Sequence, residues 1–151
     1  MFEHDKYSYS TNDSFLDFEF ESNGLKGVIT KVARFSDIGK NIYNFGFGDL
    51  DSLTGEISDT VISNNGDDDK VLITVASIIY DFTCVYSGAV VFIKGTTPSR
   101  NRRYQMGVNK HWDQINAVFE VFGFENEKWE HFRNGENYEA FLGRRKASFL
   151  F

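Results

Sequence analysis

The sequence predicts one α+β domain, a curved antiparallel sheet of four N-terminal strands crossed by a long helix, then a strand, a second helix and a short C-terminal hairpin. Three observations carry this. Residues 15–62 hold four stretches of two-residue apolar alternation or β-branched enrichment, with short turn-prone loops between them. From about residue 67 the apolar period changes to three and four, and it holds to about residue 86. A chain of 151 residues with 16 Phe, 7 Tyr and 2 Trp has the length of a single domain spanning residues 1–151 and the ring area for one aromatic core.

In the first strand Leu16, Phe18 and Phe20 alternate with Asp17, Glu19 and Glu21, which gives one face to the core and one to water. Ser22-Asn23-Gly24 turns the chain into a second strand, Lys26 to Phe35, rich in Val28, Ile29, Thr30 and Val32. After a turn at Asp37 to Lys40, Ile42 to Gly48 sets Tyr43, Phe45 and Phe47 against Asn44, Gly46 and Gly48; beyond a loop at Thr54-Gly55, Glu56 to Ile62 is the fourth strand. Loops this short make the four an antiparallel meander. Asp67, Asp68 and Asp69 then suit the positive end of a helix, and Val71, Leu72, Val75, Ile78, Ile79 and Phe82 follow at helical spacing. The expected core is Leu16, Phe18, Phe20, Tyr43, Phe45, Val71, Val75, Ile78 and Phe82.

Ala89 to Ile93 is a short apolar strand, and a competing arrangement adds it in parallel to the sheet, as in ribonuclease-H-like folds. Thr97 as cap and Pro98 at the first helical position open a second helix that runs to about residue 117, with Gly107 as its weak point. Phe119 to Phe124 and Lys128 to Phe132 form a hairpin around Glu125-Asn126-Glu127, and Asn137 to Lys146 reads as a last helix. Phe149, Leu150 and Phe151 form an apolar tail, expected either to dock on the body or to join two copies as a homodimer.

Charge is unevenly spread. Residues 1–69 carry 14 acidic and 5 basic side chains, and residues 70–151 carry 8 and 11, within a net charge of −6. Lys94 to Lys110 holds Lys94, Arg100, Arg102, Arg103 and Lys110 with no acid. Arginines in a first helical turn oppose the helix dipole, so a chain that gathers them there beside Thr96, Thr97 and Ser99 is expected to hold an anion. Thr97, Ser99, Arg100, Arg102 and Arg103 are the candidate site, and single-stranded nucleic acid or another phosphate-bearing ligand is the expected partner. The opposing reading makes these arginines internal salt-bridge partners of the acidic sheet, Asp81 or Glu120. Arg100 and Arg103, three apart, share a helix face from which Arg102 departs.

Other chemistries are weaker. Phe45-Gly46-Phe47 shares its pattern with the RNA-stacking strand of RNA-recognition motifs, but the element order differs, and these rings read as core under the first helix. A metal-dependent, nuclease-like enzyme would need Asp17, Glu19 or Glu21 to converge with Asp81 or Asp113 on a divalent ion. His4, His111 and His131 lack metal-ligand spacing, and Cys84 has no activating neighbour in the sequence. The expectation is therefore a non-catalytic binding protein, or a structural or partner-binding protein, with no cofactor and no metal. A single cysteine, no leader-like start and no long apolar run make the cytoplasm the expected location, with no membrane contact.

The ordered segments Phe18-Glu19-Phe20-Glu21-Ser22, Asn41-Ile42-Tyr43-Asn44-Phe45, Thr54-Gly55-Glu56-Ile57, Ser63-Asn64-Asn65-Gly66-Asp67, Gly95-Thr96-Thr97-Pro98-Ser99-Arg100 and Asn137-Tyr138-Glu139-Ala140-Phe141 resemble a family of small uncharacterised bacterial proteins. The resemblance implies one domain from end to end and carries over no catalytic residue. Four antiparallel strands followed by a crossing helix are also similar, in element order alone, to half of a Whirly-type single-stranded-DNA-binding regulator.

Overall fold

The computed structural model describes residues 5–58 and 65–146. Residues 59–62 of the expected fourth strand and the tail at Phe149, Leu150 and Phe151 lie outside the described residues.

Alternation sets the first half as expected. After the two-residue strand β1 (Ser10–Thr11), β2 (Asp17–Gly24), β3 (Gly27–Asp37) and β4 (Ile42–Leu50) pair antiparallel, and β5 (Ile57–Ser58) closes on the far end of β4. Phe18, Phe20 and Ser22 are buried while Glu19 and Glu21 are exposed, so the acids take the wet face. The turn between β2 and β3 falls at Leu25-Lys26, later than expected, because Asn65 clamps it. Its carboxamide accepts from the Lys26 amide at 2.5 Å and donates to the Gly27 carbonyl at 2.9 Å.

Helix α1 (Asp68–Val85) packs on the apolar face with Val75, Ile78 and Phe82, and its Phe82 ring stacks on Phe35 with centroids 3.9 Å apart. Leu16 and Val71 sit half-buried at the margin of this cluster, and Phe47 joins the buried set. Full burial of a Phe side chain stabilises by about 1.5–3 kcal/mol, so the rings of this layer dominate the stability of the half.

The second half departs from expectation in three places. β6 (Val90–Ile93) lies parallel beside β4, with Tyr43 opposite Val91 and Phe45 opposite Ile93, the neighbour that the competing arrangement required. The 18-residue helix α1 supplies the crossover that a parallel pair needs. The second helix is two: α2 (Pro98–Lys110) stops at His111, which is non-helical at φ −106, ψ 21, and α3 (Trp112–Val118) resumes one residue later. The break comes one turn past Gly107, whose added Cβ would lie 3.0 Å from Leu72 of α1, so that glycine serves helix contact.

The largest correction concerns residues 137–146, expected as a helix. Ala140–Arg145 is strand β9, seated between β6 and β7 (Phe119–Glu125), with β8 (Lys128–His131) on the outer edge. Two strands otherwise left with open edges outweigh a weak local helix preference. The strands β7 and β8 turn through Asn126 and Glu127, both at positive φ, as a two-residue hairpin of the primed type requires. The full order is β1-β2-β3-β4-β6-β9-β7-β8, a large and mostly antiparallel sheet with three helices among the described residues. Phe119, Val121 and Phe141 turn to the helix side, where they meet Trp112 and Ile115 in a second core cluster.

Candidate functional site

The expected anion site falls where β6 ends and α2 begins. Thr97 is the N-cap of α2, and its Oγ1 accepts from the Arg100 amide at 3.1 Å. Gly95 is needed just before it, because a Cβ there would lie 2.2 Å from the Asn101 amide nitrogen. The Asn101 side chain accepts from the Gly95 amide at 3.0 Å and donates to the Tyr138 carbonyl at 2.7 Å, while Gln105 Oε1 accepts from the Tyr138 amide at 3.1 Å. Four residues from three segments, with Asn101 and Gln105 both on α2, therefore hold the helix start against the approach to β9.

The three arginines part company on this frame. Arg100 is buried, and its Nη1 donates to the Phe47 carbonyl at 2.9 Å. Arg103 turns toward the start of α1 and pairs with Asp68 at 3.4 Å. Arg102 alone is exposed, off the face that the other two share, and lines an open cleft. Ser99 is exposed, and Thr97 lines the cleft from its cap position. Asp81 and Glu120, the internal partners considered for these arginines, are engaged elsewhere: Asp81 accepts from the Tyr9 hydroxyl, and Glu120 pairs with Arg144 at 2.5 Å.

That cleft has a volume of about 1020 Å³. Phe92 of β6, Phe124 of β7 and Trp129 of β8 line it with rings, Lys94 and Arg102 with charge, and Glu139 is the acid among its lining residues. Trp129 is 40% exposed and stands edge-on to Phe92 at 6.2 Å and tilted against Phe124 at 5.1 Å. A second groove of about 290 Å³ shares Phe92, Lys94 and Thr96 and adds Asn44 and Gly46 of β4. Ring surface, two cations and side-chain amides in one cleft suit a ligand that is both flat and anionic.

Neither the rings nor Lys94 entered the candidate set read from the sequence, although Lys94 stood in the acid-free stretch. Phe122 and Phe124 alternate with Val121 and Gly123 in β7, so that strand carries rings away from the helix side as well as toward it. That two-sided pattern is the signal that was legible. The other aromatic strand, with Phe45 and Phe47, is buried under the first helix as expected.

The acidic face of β2 does not meet Asp81. Asp17 pairs with Arg34 at 2.6 Å, while Asp81 lies on α1, which packs against the opposite face of β2. Among the described residues no group of three or more His, Cys, Asp or Glu side chains could hold a metal ion. Cys84 is exposed, and its sulfur lies 2.8 Å from Nη2 of Arg145, a cationic neighbour that sequence distance concealed. At the other end of α1, Lys110 and then His111 hydrogen-bond to Asp69 and hold its carboxyl below the usual range. No helix among the described residues is long and apolar enough to cross a membrane.

Residues 3–146 match one family profile, described as a family of unknown function (DUF6934). No curated protein and no solved structure matches the chain.

Proposed function

The chain belongs to the DUF6934 family, and from its own geometry we propose that it is a non-catalytic binding protein for single-stranded nucleic acid, with the cleft between α2 and the outer strands as its site. The observation that carries this reading is the placement of Trp129, Phe92 and Phe124 beside Lys94 and Arg102. Bases stack on exposed rings for about 1–3 kcal/mol each without regard to sequence, and cations at the rim follow the phosphates. Arg102 and Lys94 take the role for which the arginine cluster was first considered. Arg100 and Arg103 support the scaffold, and Thr97 caps the helix that presents Arg102.

Two cations at the rim predict modest affinity and a shallow salt dependence. With two phosphates neutralised, log K should fall with log salt at a slope of about −1.4, roughly sevenfold between 50 and 200 mM. The test is a titration with oligothymidine and oligouridine of equal length, followed by tryptophan fluorescence at both salt concentrations. The expected result is quenching by wild type, affinity lowered by roughly fivefold or more in Trp129→Ala, and a flattened salt slope in the Lys94→Ala, Arg102→Ala double variant. No binding by wild type at the lower salt would end the reading. Retained binding in Trp129→Ala together with the double variant would move the site elsewhere.

A further inference from the structure

A separate cavity of about 110 Å³ lies between the helix layer and the sheet, and it shares no lining residue with the cleft. Leu72, Ala76 and Ile79 of α1 and Val108 and Ile115 of α2 and α3 line it from above. Its base is a row of three paired positions, Val91 of β6, Gly143 of β9 and Val121 of β7.

Gly143 is the unusual member. Three other strand glycines have an evident steric reason: a Cβ at Gly24 would lie 2.0 Å from the Asn65 carbonyl oxygen, at Gly48 2.4 Å from the Ser58 carbonyl oxygen, and at Gly123 2.3 Å from the Tyr138 ring, whereas at Gly46 of β4 it would meet only the Arg34 carbonyl oxygen, at 3.8 Å. A Cβ at Gly143 would meet nothing within 4 Å, and its backbone is not in the left-handed region. Glycine inside a strand forfeits packing and costs conformational entropy, and it is found where another group approaches the backbone closely. Here no group of the protein does so.

We propose that this cavity is a binding site for a small uncharged apolar molecule, of benzene size or below, seated on the bare backbone of Gly143. The lining is almost wholly aliphatic and aromatic carbon, whereas a bound water would need two to four polar partners. Apolar cavities of comparable size, about 150 Å³, stay dry and accept benzene or xenon. The half-buried Leu72, Ala76, Val108 and Ile115 place the opening between α1 and the α2–α3 pair, which is the way in.

The experiment uses the full chain with benzene, xenon and, as a charged control of similar size, benzoate. Benzene well above its Kd should raise the Tm by a few degrees, and benzoate should not. Both benzene and xenon should shift the amide resonances of Val91, Val121 and Gly143. Two variants fill the space from opposite sides, Gly143→Ala from the sheet and Ala76→Leu from the helix. Each should fold with a Tm at or above that of wild type and lose the response to benzene. The proposal is overturned if wild type responds to neither probe, if the shifted amides cluster elsewhere, or if the folded variants respond undiminished. It is overturned equally if both variants are destabilised, since the space would then not exist.

Discussion

The two halves of the sheet use aromatic residues in opposite ways. In β2, β3 and β4 the rings face α1, and the other face of β2 carries Glu19 and Glu21 into water. In β6, β7 and β8 one set of side chains faces the helices, while Phe92, Phe122, Phe124 and Trp129 occupy the other face, half-buried or exposed. His131 and Arg144 pack on Phe122, at 4.7 and 5.6 Å, and Arg144 is paired there with Glu120 of the same face. The first half thus buries its rings against α1 and leaves carboxylates on its wet face. The second keeps rings at its surface in the half of the chain where bases outnumber acids.

The sharpest way to break this contrast is truncation. Phe82→Ala removes a fully buried ring stacked on Phe35 and should destabilise by about 3–5 kcal/mol in chemical denaturation. A loss below 1 kcal/mol would mean that the first half does not depend on its rings. Next comes Arg100→Ala, which leaves the buried Phe47 carbonyl without its charged donor and should cost about 1.5–3 kcal/mol.

A smaller effect follows from Tyr9, whose hydroxyl is raised above its ordinary value by burial and then by its hydrogen bond to Asp81. Because the folded pKa lies above the unfolded one, the contribution is complete below pH 10 and is lost as pH rises past it. Unfolding midpoints measured across the alkaline range should therefore fall beyond pH 10, and less steeply in Tyr9→Phe. Tyr7 and Tyr43, also raised chiefly by burial, keep part of the slope. Smallest of all, Arg102→Ala should change stability by no more than about 0.5 kcal/mol. A cost equal to that of Arg100→Ala would erase the distinction between scaffold arginine and cleft arginine.

Local pattern made the first half readable. Alternation placed Phe18, Phe20 and Phe45 correctly, and the change of period at Asp67 located α1 to within a residue of its ends. What local pattern could not supply was pairing between distant segments. Local pattern reads Asn137 to Lys146 as a helix, and Ala140 to Arg145 is a strand because β6 and β7 flank it. The cleft was half legible for the same reason. Arg102 and Lys94 stood out as an acid-free basic stretch, but Trp129 reaches Phe92 only through the order in which β9 and β7 join the sheet. Which arginines turn inward depends on partners such as the Phe47 carbonyl, fifty-three residues away.

The parallel seam between β4 and β6 has a consequence for biosynthesis. The meander up to β4 is built from neighbouring hairpins and can pair as soon as it emerges, but β5 covers only Asp49 and Leu50 of the outer edge of β4. Ile42 to Phe45 must wait for residues 90–93, forty-eight positions further along the chain. At about 5–20 residues per second, that is a delay of roughly 2–10 s in which a strand bearing Tyr43 and Phe45 presents unpaired amides and carbonyls to its surroundings. Nascent chains of this protein are therefore most prone to edge-to-edge association in that interval, and α1, which is made within it, is the segment that shields the exposed rings before β6 arrives.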